Sequence, residues 1–263
     1  MTVLSLPPAL IGTLRYQARI AMRRRTLWYV VVPTALLALV IGWRSPAEIT
    51  DGVRHVAGAT LVTGILCTLG IGVALADRKS WEQSAGMGDL IATTPCGVHT
   101  RMPATWAASL GVALMPPFLV VMVCAVPAAV AEGGVRPLVA APAAFVTMVV
   151  PGAAALTALA CLLGLLLPVT VARVCTAGFW LWSTIASPPL LPFATPTGTL
   201  LSPVGGYPAA AWFGERTVWA HRDLTGVLSP DVGTGSALVN LVVLAVFTTL
   251  FLLLAGLVAV RRG

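Results

Sequence analysis

Residues 237–260, ALVNLVVLAVFTTLFLLLAGLVAV, contain no charged residue and no histidine over 24 positions. An α-helix needs about 20 apolar residues to cross the hydrocarbon core of a bilayer, because it rises only about 1.5 Å per residue. A surface helix of a soluble protein would carry charged residues along the side that faces water, and this stretch has none. The stretch therefore predicts a transmembrane helix, and it indicates the class of fold to expect for the rest of the chain.

The composition of the whole chain agrees with this class. Its 263 residues are 58% hydrophobic and only 10% charged, with a mean hydropathy of +0.93. So little charge cannot supply the polar surface of a soluble protein of this size. Five more apolar runs predict further spans, so we expect an all-α integral membrane protein with six transmembrane helices in a single transmembrane domain over residues 1–263; the runs before 237–260 are 27–43, 56–76, 104–131, 138–167 and 169–187.

Two prolines mark places where the predicted spans should change direction. The run 138–167 is too long for one upright crossing, and Pro151 is expected to divide it into an interfacial approach and a spanning helix. Pro168 stands between this run and the next one, so the connection there is expected to be a tight turn.

The charges predict the orientation of the chain in the membrane. With the N-terminus in the cytoplasm, the inner segments hold 11 of the 16 basic residues and three of the nine acids. The outer segments then hold five basic residues and six acids. This is the positive-inside distribution of a multi-pass protein of the cell (inner or plasma) membrane, with both termini cytoplasmic. It explains the net charge of +7 without any nucleic-acid partner.

Residues 7–25 predict an amphipathic helix before the first span. At about 100° per residue, their apolar side chains share one sector, and Arg15, Arg19 and Arg23 occupy the sector beside it. Such a helix favours the inner membrane interface, against anionic lipid headgroups. The alternative is a solvated basic flank that only sets the topology.

The residues that carry chemistry in enzymes are scarce and scattered. The five cysteines form no CxxC pair, the three histidines lie far apart, and no HExxH motif is present, so no metal site is expected. The single lysine, Lys79, does not follow a glycine-rich phosphate-binding loop, so we expect this chain to bind no ATP and no other cofactor. The predicted spans hold no paired acids, which disfavours an intramembrane enzyme. By itself the chain is not expected to be an enzyme.

The predicted cytoplasmic loop, residues 77–103, contains a short helix-like stretch that Pro95 ends. Leu90 and Ile91 are apolar residues in this loop, and another protein is expected to cover them. The run ALADRKSWEQSAGMGDLIATTPCGVHTRM, residues 74–102, resembles the loop between the second and third spans of type 2 ABC transporter permeases. The matching residues, in order and spacing, are Asp77-Arg78, Gly86, Asp89, Leu90-Ile91, Thr94-Pro95 and Arg101.

This resemblance implies the membrane permease subunit of an ATP-driven transporter that exports a hydrophobic or amphipathic substrate. A separate ABC ATPase subunit, with ATP and Mg, would dock on the loop 77–103, and two permease chains would pair as a homodimer or a heterodimer among the membrane lipids. In that family the short loop helix transmits ATPase closure to the spans. The expected coupling residues here are Gly86, Asp89, Leu90, Ile91, Thr94, Pro95 and Arg101.

Residues 188–236, predicted to lie outside, are rich in proline and contain the patch GYPAAAWFG at 206–214. They resemble the outer segment of the same family, in which short helices dip towards the membrane before the last span. We expect this re-entrant segment, with Pro203, Tyr207 and Trp212, to pack back onto the outer mouth of the spans.

Three alternatives stay open at the level of sequence. The chain could be a sensor or assembly subunit that docks an ATPase but transports nothing, or, with less support, an intramembrane enzyme. Trp180 and Trp182 could contact a lipid-like or aromatic cargo, although packing is the plainer interpretation.

Overall fold

The computed structural model describes residues 8–76, 98–185, 196–216 and 228–262. Over these residues the architecture is all-α, as predicted. The α-helices are α1 Pro8–Arg23, α2 Arg25–Gly42, α3 Gly52–Leu75, α4 Val98–Ala113, α5 Met115–Glu132, α6 Arg136–Ala144, α7 Val150–Leu166, α8 Val169–Thr184, α9 Gly206–Phe213 and α10 Thr234–Arg262.

Five helical stretches within the described residues are long and apolar enough to cross a membrane. They are Arg25–Gly42, Gly52–Leu75, Arg101–Glu132, Arg136–Leu166 and Thr234–Arg261. They match five of the six predicted spans, and they indicate a membrane-embedded, multi-pass protein. The remaining predicted span, 169–187, forms α8, which has 16 residues and is about 24 Å long at 1.5 Å per residue. A sixth crossing stays a prediction.

The prediction that the fourth apolar run divides into two helices at Pro151 is wrong. Residues Arg136–Leu166 form one continuous helical stretch, and a π-helical turn at Phe145–Val149 lies just before the proline. In an α-helix the ring of Pro151 would clash with the carbonyl group four residues earlier. The π-turn adds one residue to the helical turn, and we attribute it to this clash. The chain therefore widens locally where it was expected to break.

The turn at Pro168 is as tight as predicted. Leu167 and Pro168 both have extended backbone dihedral angles, and α8 begins at the next residue. Because these two residues alone connect α7 to α8, the two helices run back along each other.

Helix α3 is the centre of the bundle. It packs against α2, α5, α6, α7, α8 and α9. Small residues allow this close approach: Gly70 of α3 faces Thr34 of α2, and Gly72 faces Leu156 of α7. Without a hydrophobic driving force between helices in lipid, such close packing is a main source of helix association.

Helices α2 and α10 form the outside of the bundle. Only 28% of the most apolar window of α2 and 17% of that of α10 are buried within the structure, against 67% for α3. Exposed apolar side chains such as Val40 and Leu253 would be unfavourable in water. They are suited to contact with lipid tails, as the composition of the chain predicts.

Candidate functional site

One end of the helix bundle carries only positive charge among the described residues, and we call it the arginine-rich end. At this end Leu27 of α2 packs with Ala74 and Leu75 of α3, and Met102 of α4 packs with Leu162 and Leu165 of α7. No aspartate or glutamate of the described residues lies at this end. The arginines there are Arg15, Arg19, Arg23, Arg24, Arg25, Arg101, Arg173, Arg261 and Arg262.

The opposite end holds both signs of charge, and we call it the mixed-charge end. Here α3 begins, α5 ends and α6 begins, and Oε1 of Glu132 accepts a hydrogen bond of 2.6 Å from the backbone N–H of Gly52. The described charged residues at this end are Arg44, Glu48, Asp51, Arg54, Glu132, Arg136, Glu215, Arg216 and Asp231. The charge asymmetry that the sequence indicated is therefore an asymmetry between the two ends of the folded bundle.

Helix α1 forms as predicted and lies along α4 at the arginine-rich end. Gln17 and Ala21 are buried. Arg15, Arg19 and Arg23 are all exposed. The rest of the expected apolar face is only partly covered by protein, since Ile11 and Met22 are also exposed. The helix thus presents both arginines and apolar side chains at its surface, which is the arrangement expected of a helix at a lipid interface.

Most of the predicted coupling residues lie outside the described residues. Gly86, Asp89, Leu90, Ile91, Thr94 and Pro95 fall between Ala76, at the end of α3, and Val98, at the start of α4. Arg101 is the described member of the set; it lies in the first turns of α4 and is half-buried. The loop therefore leaves and re-enters the bundle at the arginine-rich end, beside α1.

Residues 196–216 fold back onto the bundle at the mixed-charge end. Pro203 and Tyr207 are buried and Trp212 is half-buried, and α9 contacts α3, α6 and α10. These three residues therefore belong to a segment that packs against the bundle, and their assignment to an outer re-entrant segment stays a prediction.

The residues 203–205 dock directly on the π-turn and the start of α7. Gly205 has a left-handed backbone (φ +72°), and a Cβ atom there would overlap the backbone of Met148 in the π-turn. Gly152 allows the carbonyl oxygen of Pro203 to approach so closely that a Cβ atom would overlap it. This contact joins backbone to backbone, so it depends on glycine at both positions.

Four polar contacts hold residues 200–215 in place. Asn240 of α10 donates from Nδ2 to the carbonyl oxygens of Leu200 at 2.7 Å and Ser202 at 3.0 Å. Tyr207 donates its hydroxyl to the carbonyl of Pro230 at 3.2 Å, and burial raises the pKa of this hydroxyl, so it stays a protonated donor. At the far end of α9, Nε of Arg54 lies 3.2 Å from Oε2 of the buried Glu215.

A cavity of about 250 Å³ lies between α7, α8, α10 and residues 196–203. Its walls include five aromatic side chains: Phe179, Trp180 and Trp182 of α8, and Phe247 and Phe251 of α10. Trp180 is fully buried and donates its indole N–H to the carbonyl oxygen of Ile65 in α3 at 2.8 Å. Trp180 is therefore a packing residue whose ring also lines a cavity, while Trp182 is a partly exposed member of the wall.

Sequence reasoning missed the contribution of α10 to this cavity. Phe247 and Phe251 are four residues apart, so they lie on one face of the helix, and their rings stack with centroids 6.1 Å apart. That spacing was visible in the sequence. The facing helix and the closing residues Leu201 and Pro203 depend on tertiary packing.

Within the described residues, no group of three or more histidine, cysteine, aspartate or glutamate side chains is placed to hold a metal ion. No protein-family model matches this chain, and no curated protein matches it.

Proposed function

We propose that this chain is the membrane permease subunit of an ATP-driven transporter of the type 2 ABC class, exporting a hydrophobic or amphipathic substrate. A separate ATPase subunit, which binds ATP and Mg, docks on the loop 77–103 from the cytoplasm. Two permease chains, identical or different, pair in the cell membrane to enclose the transport path.

The observation that carries this proposal is where the loop joins the bundle. The loop connects α3, the most central helix, to α4, and both connections lie at the arginine-rich end. A force applied to the loop therefore acts on the helix that contacts most of the others, and it also acts on α4, along which α1 lies. Interfaces between packed helices respond to such a force by sliding or rocking.

The chemistry of the spans supports an external source of energy. Away from their ends, the five described spanning stretches hold no aspartate, glutamate, lysine or arginine. Proton- or sodium-driven transporters usually keep ionisable groups within the membrane despite a cost of at least about 2.5 kcal/mol each. A permease whose work is done by a partner ATPase needs none.

Co-expression with an ABC ATPase subunit from the same organism tests the proposal. The two chains should co-purify in mild detergent at a fixed ratio. Leu90→Asp places a charge among the apolar loop residues and should reduce the co-purified ATPase at least tenfold, because burying an unpaired carboxylate in the contact is costly. Val135→Asp, at an exposed position of the mixed-charge end, is the matched control and should leave the complex intact. Failure of the native chains to associate, or unchanged association of Leu90→Asp, would contradict the proposal.

A further inference from the structure

The cavity between α7, α8 and α10 has walls that are apolar and uncharged. None of the described residues that line it carries a charged side chain. Ser183, the one hydroxyl-bearing side chain among the described lining residues, donates to the carbonyl of Trp180 at 3.0 Å. The indole N–H of Trp180 donates to the carbonyl oxygen of Ile65. A charged ligand would lose its hydration without a compensating partner. The cavity therefore selects an uncharged molecule that needs no hydrogen bond.

The size of the cavity limits the ligand further. An apolar cavity of about 150 Å³ is large enough to hold one benzene molecule, and this cavity measures about 250 Å³. Pockets for drug-sized ligands are larger, at about 300–1,000 Å³. The space accordingly fits two fused rings.

The walls favour an aromatic occupant over an acyl chain. Phe179 and Trp182 meet at 5.8 Å with their planes tilted by 55°, and Phe247 and Phe251 present a second, nearly parallel pair on the facing helix. Aromatic rings attract one another in offset and edge-to-face arrangements beyond the effect of area alone. A flexible acyl chain gains nothing from that geometry.

The open side of the cavity faces the surroundings of the bundle. Phe179 is 38% exposed and Trp182 is 37% exposed, and α10 is the least covered of the described spanning helices. In a bilayer, a molecule dissolved in the lipid reaches these two rings without crossing the polar ends of the bundle.

We infer that this cavity is a binding site for an uncharged, two-ring aromatic molecule that enters from the bilayer. The inference concerns binding, and it does not require the chain to transport anything or to associate with an ATPase. If the proposed transport function is also correct, such a molecule is the class of cargo that the site accepts.

Equilibrium binding of radiolabelled naphthalene to the full chain in lipid nanodiscs tests the inference. Naphthalene also dissolves in the lipid, so binding to empty nanodiscs is subtracted. The native chain should show a saturable component of one molecule per chain. The anion 2-naphthalenesulfonate should show at least tenfold weaker saturable binding, because the site offers no partner for its charge. Purely proportional, non-saturable uptake of naphthalene would overturn the inference.

Two variants assign the binding to this cavity. Ala155→Phe fills the space from α7 and should abolish the saturable component, whereas Ala245→Phe, the same change at an exposed position of α10, should leave it unchanged. Phe247→Ala removes one aromatic wall and should weaken binding about tenfold, which provides a second test if Ala155→Phe does not fold. Saturable binding that persists undiminished in a folded cavity variant would place the site elsewhere and overturn the assignment.

Bilayers with brominated acyl chains separate the two possible occupants. If the cavity holds an aromatic ligand, naphthalene should relieve the quenching of tryptophan emission by these lipids in the native chain but not in Ala155→Phe. Quenching that naphthalene relieves no more in the native chain than in Ala155→Phe would count against the inference.

Discussion

Gly152 and Gly205 are the residues on which the contact between residues 203–205 and the fourth apolar run depends. Gly205 adopts a left-handed backbone that other residues rarely adopt, and it lies on Met148 of the π-turn. Gly152 faces the carbonyl oxygen of Pro203, which cannot move aside without moving the whole segment. The sequence shows that residues 188–236 are rich in proline, but it could not show which glycines are in contact with backbone.

At the residue scale we predict that Gly152→Ala destabilises the protein by about 1–3 kcal/mol, the usual cost of forcing an extra group into a packed site. The added methyl group would push Pro203 away from α7. Thermal unfolding in detergent, followed by circular dichroism, measures the effect.

The matched control is Gly111→Ala in α4, where a Cβ atom would meet nothing within 4 Å. Since alanine favours a helix by up to about 1 kcal/mol over glycine, this variant should be neutral or slightly more stable. Equal midpoints for the two variants would show that the contact at Gly152 contributes no constraint.

At the scale of elements, α10 holds residues 200–202 through Asn240, the only asparagine of the chain. Asn240 is buried and donates to two carbonyl groups of residues 200–202. An asparagine within an otherwise apolar span is visible in the sequence, but its partners come from a segment 40 residues earlier. No contact was predicted from this asparagine, because its partners are brought to it only by the fold.

We predict that Asn240→Leu loosens this segment while α10 itself remains helical. One partly buried and one buried carbonyl group would lose this donor, at about 1–3 kcal/mol for a buried group left unsatisfied. Limited proteolysis should cut residues 196–216 at least several times faster in the variant, with circular dichroism unchanged.

Thr249→Val, on the same helix, is the control for this change. Its hydroxyl is bonded to the carbonyl of Ala245 in its own helix, so its loss should leave the proteolysis rate as in the native chain. If both variants were cut at the same rate, Asn240 would not be the residue that holds residues 196–216 in place.

The apolar runs located the helices with useful accuracy because the length of a membrane span follows from the thickness of the bilayer. α1 and the turn at Pro168 were also predictable, since each depends on local sequence. The π-turn was not, because Pro151 only indicates that the helix must deviate, and packing decides whether it bends, breaks or widens. The cavity was not predictable either, since its walls come from three helices and a returning segment.

For the whole molecule, the separation of charge between the two ends is the feature with the widest consequence. The arginine-rich end holds nine described arginines and no described acid, whereas the mixed-charge end balances the two signs. Counting charges along the sequence already indicated this asymmetry, and the folded helices keep it. The arrangement of the coupling residues stays a prediction. Of that set, only Arg101 lies among the described residues.

We predict that the arginine-rich end faces the cytoplasm, as the positive-inside rule requires. A membrane-impermeant maleimide applied to intact cells should label the variant Ser45→Cys, at an exposed position beside Arg44, when Cys96 is replaced by alanine. It should not label the native chain at Cys96 until the membrane is permeabilised.

Labelling of Cys96 in intact cells would show that the chain has the opposite orientation in the membrane. The loop 77–103 would then be out of reach of any cytoplasmic ATPase, and the proposed function would fail with it. The naphthalene-binding experiment would keep its meaning, since it does not depend on orientation.

The widened turn at Phe145–Val149 also determines how this chain can tolerate a change of length. Elsewhere in residues 136–166, deleting one residue would rotate everything before the deletion by about 100° relative to everything after it, and helix faces would exchange partners. Within the π-turn, one residue can be deleted while the helix faces before and after the turn keep their orientation relative to each other. A natural or engineered chain one residue shorter here, with Pro151 also replaced to avoid its clash with the carbonyl group four residues earlier, should therefore conserve the bundle and lose the surface against which Gly205 rests.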